Sequence, residues 1–244
     1  MHFTRTTTMV LVLLGFGGGA WAQAKAEPDY TLSYNVGAVT DYRYRGISQS
    51  RLKPALQGGA DFAHKSGFYL GTWASTIRWI DDAGGDAPVE LDLYGGYKGS
   101  AGPVGFDVGV LRYQYPGHDL ATSPNTTELY GAATFGPATL KYSHSVTNLF
   151  GFADSENSYY VEAAATFDLG NGFSLVPHAG YQKVKNSDAF SYTDYSIALA
   201  KDFGNGFSAS VAAVGTDADE ALYVTPGGKF TGKNRLVLGA KYAF

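Results

Sequence analysis

The closing stretch "NRLVLGAKYAF", residues 234–244, decides the fold. On an extended chain Leu236, Leu238, Ala240, Tyr242 and Phe244 share one face, and Arg235, Val237, Gly239, Lys241 and Ala243 share the other. A period of two with one apolar face belongs to a strand and not to a helix. The same alternation recurs upstream. In "VELDLYGGYK" (89–98) Val89, Leu91, Leu93 and Tyr97 oppose Glu90, Asp92 and Lys98. In "YYVEAAATF" (159–167) Tyr159, Val161, Ala163, Ala165 and Phe167 oppose Glu162. Twelve such segments follow one another, at 31–44, 55–65, 68–79, 89–99, 104–115, 126–136, 138–148, 158–169, 173–184, 192–203, 207–216 and 234–244.

The composition is that of strands and turns: 32 Gly, 18 Tyr and 15 Phe stand beside only 2 Met among 244 residues. A formal charge of -4 lacks the basic footprint of a nucleic-acid binder. Cysteine is absent, so no disulfide supports the fold. Residues 1–24 read as a signal peptide. Arg5 precedes the apolar run "MVLVLLGFGGGAW", and the overlapping sites "AWA" and "AQA" place cleavage after Ala22 or Ala24. The run falls short of the ~20 residues of a spanning helix. Residues 25–244 then form one domain.

Alternation alone fits a soluble sandwich as well as a membrane barrel. Strand length separates them, because a tilted transmembrane strand needs about 9–11 residues and soluble strands average about 5–6. The connections are also asymmetric. "KSG" (65–67), "GSAGP" (99–103), "FGP" (135–137), "LGNG" (169–172) and "FGNG" (203–206) each follow an even-numbered strand, while longer polar loops follow the odd-numbered ones. Short periplasmic turns and long extracellular loops have this order. Aromatics gather at both strand ends, with Phe68, Phe106, Phe135, Phe167, Phe173, Phe203 and Phe207 by the turns and Tyr42, Tyr44, Tyr113, Tyr115 and Tyr192 toward the loops. The expected fold is all-β: a closed antiparallel transmembrane β-barrel of about twelve strands in a Gram-negative outer membrane, embedded in its lipid.

"SYNVGAVTDYRYRGISQS" (33–50) and "PALQGGADFAHKSGFYLGTWAST" (54–76) resemble the N-terminal signature of the TorF-like porins, a proteobacterial family of outer-membrane conserved hypothetical proteins of about this length. "YRYRGISQS" and "GFYLGTWAS" carry the likeness. The resemblance implies an outer-membrane barrel and supplies no binding residues. "KYAF" likewise resembles the C-terminal aromatic signal through which outer-membrane barrels engage their assembly machinery, which implies that role for Tyr242 and Phe244.

Carrying the register of the first strand forward sets Leu32, Tyr34, Val36, Ala38, Thr40, Tyr42 and Tyr44 toward lipid and Asp41, Arg43 and Arg45 inward. Two readings of the arginines stay open. They pair with carboxylates such as Asp61 or Asp92 and hold the first loop, or they form a constriction. Parity sends Asp41, Asp61, Glu90, Asp92, Asp107, Glu128, Glu162, Asp168, Asp194 and Asp202 into the lumen against Arg43, Lys98, Lys141, Lys183, Arg235 and Lys241. In-strand glycines such as Gly58, Gly59, Gly95 and Gly96 serve sheet bending or a crowded lumen. The functional expectation is a narrow passive channel for small solutes with a weak preference for cations or neutral solutes. The alternative is a non-conducting structural or adhesive barrel.

Enzymatic and cofactor chemistry find no support in the sequence. In "YSHSVTN" the neighbours Ser143 and Ser145 point away from the face of His144, so the nucleophile–base contact of a lipid hydrolase fails there. His64, His118 and His178 lack metal-ligand spacing, and no cofactor or metal is expected. Deleting Phe244 should lower the heat-modifiable barrel recovered from outer membranes. Undiminished folded protein after the deletion would leave Phe244 as an interfacial anchor alone.

Overall fold

The computed structural model describes residues 28–244, and the expected signal peptide, 1–24, lies outside them. Twelve wall strands are formed by Tyr30–Val39 (β1), Ala55–His64 (β2), Phe68–Thr76 (β3), Val89–Ala101 (β4), Val104–Gln114 (β5) and Thr126–Phe135 (β6), then Ala138–Ser145 (β7), Tyr159–Ala165 continued by Phe167–Gly170 (β8), Phe173–Lys183 (β9), Tyr192–Gly204 (β10), Phe207–Thr216 (β11) and Arg235–Ala243 (β12). Each pairs antiparallel with its sequence neighbours. β12 returns to β1 with Val36 opposite Tyr242 and Ala38 opposite Ala240. Tyr34 and Phe244 exchange backbone hydrogen bonds of 2.8 and 2.9 Å at the seam. The ring is closed, which leaves no unpaired sheet edge.

Turns of two or three residues join the strands at one end and longer loops at the other, in the expected alternation. Glycines with positive φ, such as Gly67, Gly136 and Gly172, supply the left-handed positions of the tight turns. The outer wall is apolar, with Leu32, Val36, Leu56, Leu70, Val108, Leu129, Leu140, Ile197 and Leu236 exposed along it. Phe68, Phe135, Phe167, Phe173, Phe203 and Phe207 are exposed near the turn end. This pattern is that of a membrane-embedded barrel.

The loop-end belt differs from the expected one. Tyr113, Tyr115 and Tyr192 are buried in the interior, and the outward tyrosines there are Tyr142, Tyr159, Tyr181 and Tyr195. Tyr159 bridges Tyr142 and Tyr181 at ring separations of 5.8 and 6.3 Å. For Tyr113 and Tyr115 the inward turn has an electrostatic reason, since a phenol O–H placed inside can cap a buried carboxylate, here Glu128 and Glu90, while Tyr192 packs against Ile47 and Ala218.

The first strand also ends earlier than 31–44, at Val39. Beyond it Ser48 Oγ donates to Asp41 at 2.5 Å, Arg43 Nε donates to Asp41 at 2.7 Å, and the Tyr42 N–H donates to Ser50 Oγ at 2.9 Å. These local side-chain bonds compete with the ladder and bend the chain into the barrel. Tyr42 and Tyr44 therefore leave the lipid face assigned to them, and Tyr42 is only 3% exposed.

Several glycines act as seats for tyrosine rings. Tyr69, Gly96, Gly109 and Tyr130 stand in one register row across β3 to β6. The two rings lie toward each other over the glycines until their hydroxyls meet. A Cβ on Gly109 would sit 2.5 Å from the Tyr130 hydroxyl, and one on Gly96 would sit 2.6 Å from that of Tyr69. Asp61, Gly71 and Tyr94 form a second row, with Tyr94 donating to Asp61 at 2.5 Å across Gly71. At Gly96, room inside a crowded lumen is thus the operative reason.

Gly109→Ala should lower unfolding stability by about 1–3 kcal/mol through overpacking. Gly131→Ala is the control, because its Cβ would meet nothing nearer than Val108 Cγ1 at 4.0 Å. The urea midpoint of heat-modifiable migration measures both, and equal midpoints would discount the seating.

Candidate functional site

Loop 1, residues 40–54, carries the conspicuous "YRYRG". Arg43–Tyr44 pairs with Ile47–Ser48 as a small hairpin inside the mouth of the barrel. Its two-residue tip, Arg45–Gly46, has φ values of +46° and +79°, as a type I′ turn requires. Glycine is needed at 46 on a second ground, since a Cβ there would lie 2.7 Å from the Cβ of Asp194. A non-glycine residue in the left-handed region costs about 1–2 kcal/mol, so Arg45 occupies a position that asparagine would fill more cheaply. Its side chain supplies the compensation.

Arg45 crosses the lumen. Nη1 donates to Glu128 Oε1 at 3.0 Å and to Gln182 Oε1 at 2.6 Å, and Nη2 donates to Glu128 Oε2 at 2.7 Å. The guanidinium carbon lies 4.2 Å from the ring centre of Tyr160 and 4.7 Å from that of Tyr44. Glu128, Tyr160 and Gln182 belong to β6, β8 and β9, on the far side of the ring from β1. Arg45 therefore does pair with a wall carboxylate, although neither Asp61 nor Asp92 is the partner. Arg43 stays within its own loop, bonding Asp41 and the Gly46 carbonyl at 2.8 Å.

The interior charges fall into three tiers. At the mouth, Glu90 accepts hydrogen bonds from Tyr42 at 2.5 Å and Tyr115 at 2.6 Å. Beside it Asp92 is 2% exposed, and its Oδ1 has no hydrogen-bond donor among the described residues. Trp73 and Tyr113 are its register neighbours on either side. In the middle tier, Lys141 Nζ lies 3.9 Å from Glu162, and His178 Nε2 lies 3.1 Å from the same carboxylate. His178 Nδ1 faces Asp194 at 3.5 Å, and Tyr160 donates to Asp194 at 2.8 Å. Toward the turns, Tyr69 donates to Asp107 at 2.6 Å, Lys98 lies 4.0 Å from Asp107, and Tyr94 caps Asp61.

Among the residues that parity sends inward, the structure brings together Asp41 with Arg43, Arg45 with Glu128, and Lys141 with Glu162. It misplaces Lys183: Gln182 is the inward residue, and Lys183 bonds Asp188 on the outside at 2.6 Å. Asp168 sits exposed at the turn end, accepting the Gly170 N–H at 2.8 Å. The larger omission concerns the partners. Tyr160, His178 and Gln182 share an inward face with no distinguishing spacing, and only their parity with one another and with Gly180 points to them. The tyrosine caps satisfy acids without neutralising them, since Asp61, Glu90, Asp107 and Asp194 each receive at least one phenol hydrogen bond.

The loops fold over this site. Tyr42, Trp73, Ile77, Ile80, Tyr113 and Tyr115 form a buried apolar cluster with Trp79 and Phe150 packed against it. Ile47 packs with Tyr192 and Ala218 in a second cluster, flanked by Tyr223 and Phe230. Backbone bonds tie loop 1 to its neighbours: Ser48 N–H to the Thr231 carbonyl at 3.0 Å and Arg78 N–H to the Gln49 carbonyl at 2.8 Å. On the outer wall His144 contacts Tyr142 at 3.0 Å and Asn157 at 3.1 Å. Ser143 and Ser145 are buried on the opposite face, as parity requires.

The barrel is similar to solved porins. A KdgM porin superposes with a TM-score of 0.58 at 9% identity, covering 87% of this chain and 99% of that one. A KdgM porin in complex with disordered oligogalacturonate gives 0.55 at 9% identity, covering 87% and 98%. A NanC porin gives 0.54 at 10% identity, covering 88% and 99%. At these identities the likeness is one of fold. No curated protein matches the sequence. The family described as "Bacterial protein of unknown function (Gcw_chp)" matches residues 23–244, and the chain belongs to that family.

Proposed function

We propose that the protein is an outer-membrane channel of the TorF-like porin kind, narrowed at its mouth by loop 1 and passing small solutes with a weak preference for cations or neutral molecules. The observation that carries this reading is a closed twelve-strand wall around a charged interior, with Arg45 set across the opening. The fold likeness to KdgM and NanC porins supports the channel. "YRYRGISQS" supports the TorF-like kinship, and a family match that starts at residue 23, directly after Ala22, supports removal of the signal peptide. Insertion would proceed through the barrel-assembly machinery, with Tyr242 and Phe244 presented on the seam strand.

The oligogalacturonate of the KdgM complex is an acidic ligand of that protein. Here Asp61, Glu90, Asp92, Asp107, Glu128, Glu162 and Asp194 line the interior against Arg45, Lys98, Lys141 and Lys241, which disfavours an acidic solute. Catalysis is not part of the proposal, because Ser143 and Ser145 are walled off from His144. The non-conducting structural barrel has one observation in its favour, the two apolar clusters that pack the loops into a cap.

Bilayer conductance under a salt gradient tests the reading. The folded protein should conduct, with a reversal potential on the cation side. Glu90→Gln combined with Asp92→Asn should move that potential toward anions, since the two carboxylates stand two residues apart on the inward face of β4. The shift should shrink at high salt as screening shortens the reach of each charge. Silence from a folded barrel would favour the structural alternative.

Orientation is tested separately. An epitope between Gly227 and Gly228, at the exposed tip of the loop before β12, should bind antibody on intact cells. One at Asn205, in the turn after β10, should not, and the reverse labelling would invert the barrel.

A further inference from the structure

The groups that hold Arg45 form a site of their own. Glu128 is 1% exposed and offers both oxygens to a planar fork, Gln182 adds an amide oxygen in the same region, and Tyr160 supplies a ring face. All of these stand on wall strands. Their orientation is set without Arg45: the Gln182 amide donates to the carbonyls of Tyr159 at 3.0 Å and Lys183 at 3.1 Å, which turns its oxygen toward the lumen. Tyr160 is fixed by its bond to Asp194 at 2.8 Å, and Tyr113 approaches Glu128 at 3.4 Å. Removing the arginine therefore leaves a preorganised anionic cradle behind.

The chemistry of the cradle selects its ligand. A guanidinium matches two carboxylate oxygens with parallel N–H bonds and lies flat against an aromatic ring, and a compact ammonium does neither as well. Every bond from Arg45 to the wall runs through its two terminal nitrogens, so a short alkylguanidinium reproduces the whole set. We propose that Glu128, Gln182 and Tyr160 form a receptor for guanidinium cations, occupied from within by Arg45, and that a guanidinium-bearing solute competes with loop 1 for this anchor. A tethered ligand enjoys an effective concentration on the order of millimolar, so a free competitor acts on the unmodified protein only above that range.

Arg45→Ala vacates the receptor and makes the test direct. Folding of each variant is checked by heat-modifiable migration. Where Arg45→Ala fails to assemble, Arg45→Gln serves, because it keeps a polar side chain at the hairpin tip. Methylguanidinium chloride is titrated into the folded protein in detergent by calorimetry, with methylammonium chloride, a compact ammonium, as the control for charge and ionic strength. Arg45→Ala should bind methylguanidinium saturably and methylammonium at least about ten-fold more weakly. Adding Glu128→Gln should weaken that binding by about ten-fold or more, through loss of the charge-assisted bonds.

The conductance arm rests on the channel reading, and the calorimetric arm does not. In bilayers Arg45→Ala should carry more current than the unmodified protein, and methylguanidinium alone should bring the current back down. Equal heats for Arg45→Ala with and without Glu128→Gln, or equal heats for the two cations, would overturn the receptor. Saturable binding to a barrel that carries no current would leave the receptor standing and remove the channel.

Discussion

Backbone hydrogen bonding in hydrocarbon is the constraint on which the structure depends. With no water to satisfy them, every N–H and C=O of the wall needs a partner, and β12 meeting β1 provides the last ones. Closure then fixes parity for all twelve strands at once, because a slip of one residue on any strand would reverse lipid and lumen along its length. Interior chemistry follows from parity. Asp61, Glu90, Asp92, Asp107, Glu128, Glu162 and Asp194 all occupy one inward set, and each must be neutralised or left free within a narrow space.

Tyrosine and glycine resolve most of that difficulty. A phenol that lies over a glycine on the neighbouring strand reaches a carboxylate or another phenol on the next, as Tyr94 does over Gly71 to Asp61. The arrangement stiffens the wall across strands in a direction the backbone ladder already covers, and it satisfies acids without spending basic residues. Asp92 lies outside this scheme, flanked by Trp73 and Tyr113, whose position suits packing more than donation to it. Glu128 is handled differently again, by a cation delivered from a loop. Breaking a buried ion pair by removing one member costs about 3–5 kcal/mol, whereas replacing both with apolar groups is often neutral. The pair at Arg45 and Glu128 is therefore weak evidence for stability and better evidence for a required position of loop 1.

Period and punctuation made most of the wall legible in the sequence. Alternation located all twelve strands, and "GNG" at 170–172 and 204–206 marked turns because their glycines hold positive φ. The same alternation failed in "TDYRYRGISQS", where it continues past the end of β1 into a second, separate strand pair. Period two records that residues are extended and says nothing about which sheet they join. Alternation assigns Tyr42 and Tyr44 to lipid for that reason. The partners of the site were hidden for another: Glu128, Tyr160 and Gln182 are brought together by ring closure and by a loop that folds inward, and neither leaves a mark in local spacing. Lys183 shows the sensitivity of parity, since one residue separates a lumen position from an outer one.

The root and the tip of loop 1 are held by unlike forces. At the root, Asp41 gathers Arg43 and Ser48 in a knot contained within the loop, and Tyr42 and Ile47 are buried among residues of the wall and of neighbouring loops. Burying each such side chain stabilises the closed arrangement by about 1.5–3 kcal/mol, without direction. At the tip, Arg45 and Gly46 carry no apolar surface into either cluster; the Gly46 carbonyl is held by Arg43, and the Arg45 side chain by the directed bonds to Glu128 and Gln182. Screening by salt reaches a buried pair only weakly, whereas a cation that fits the Glu128 carboxylate competes for the same directed bonds. The bonds of Arg45 to the wall can therefore be exchanged for those of such a cation while the buried side chains of the root keep loop 1 folded in the mouth.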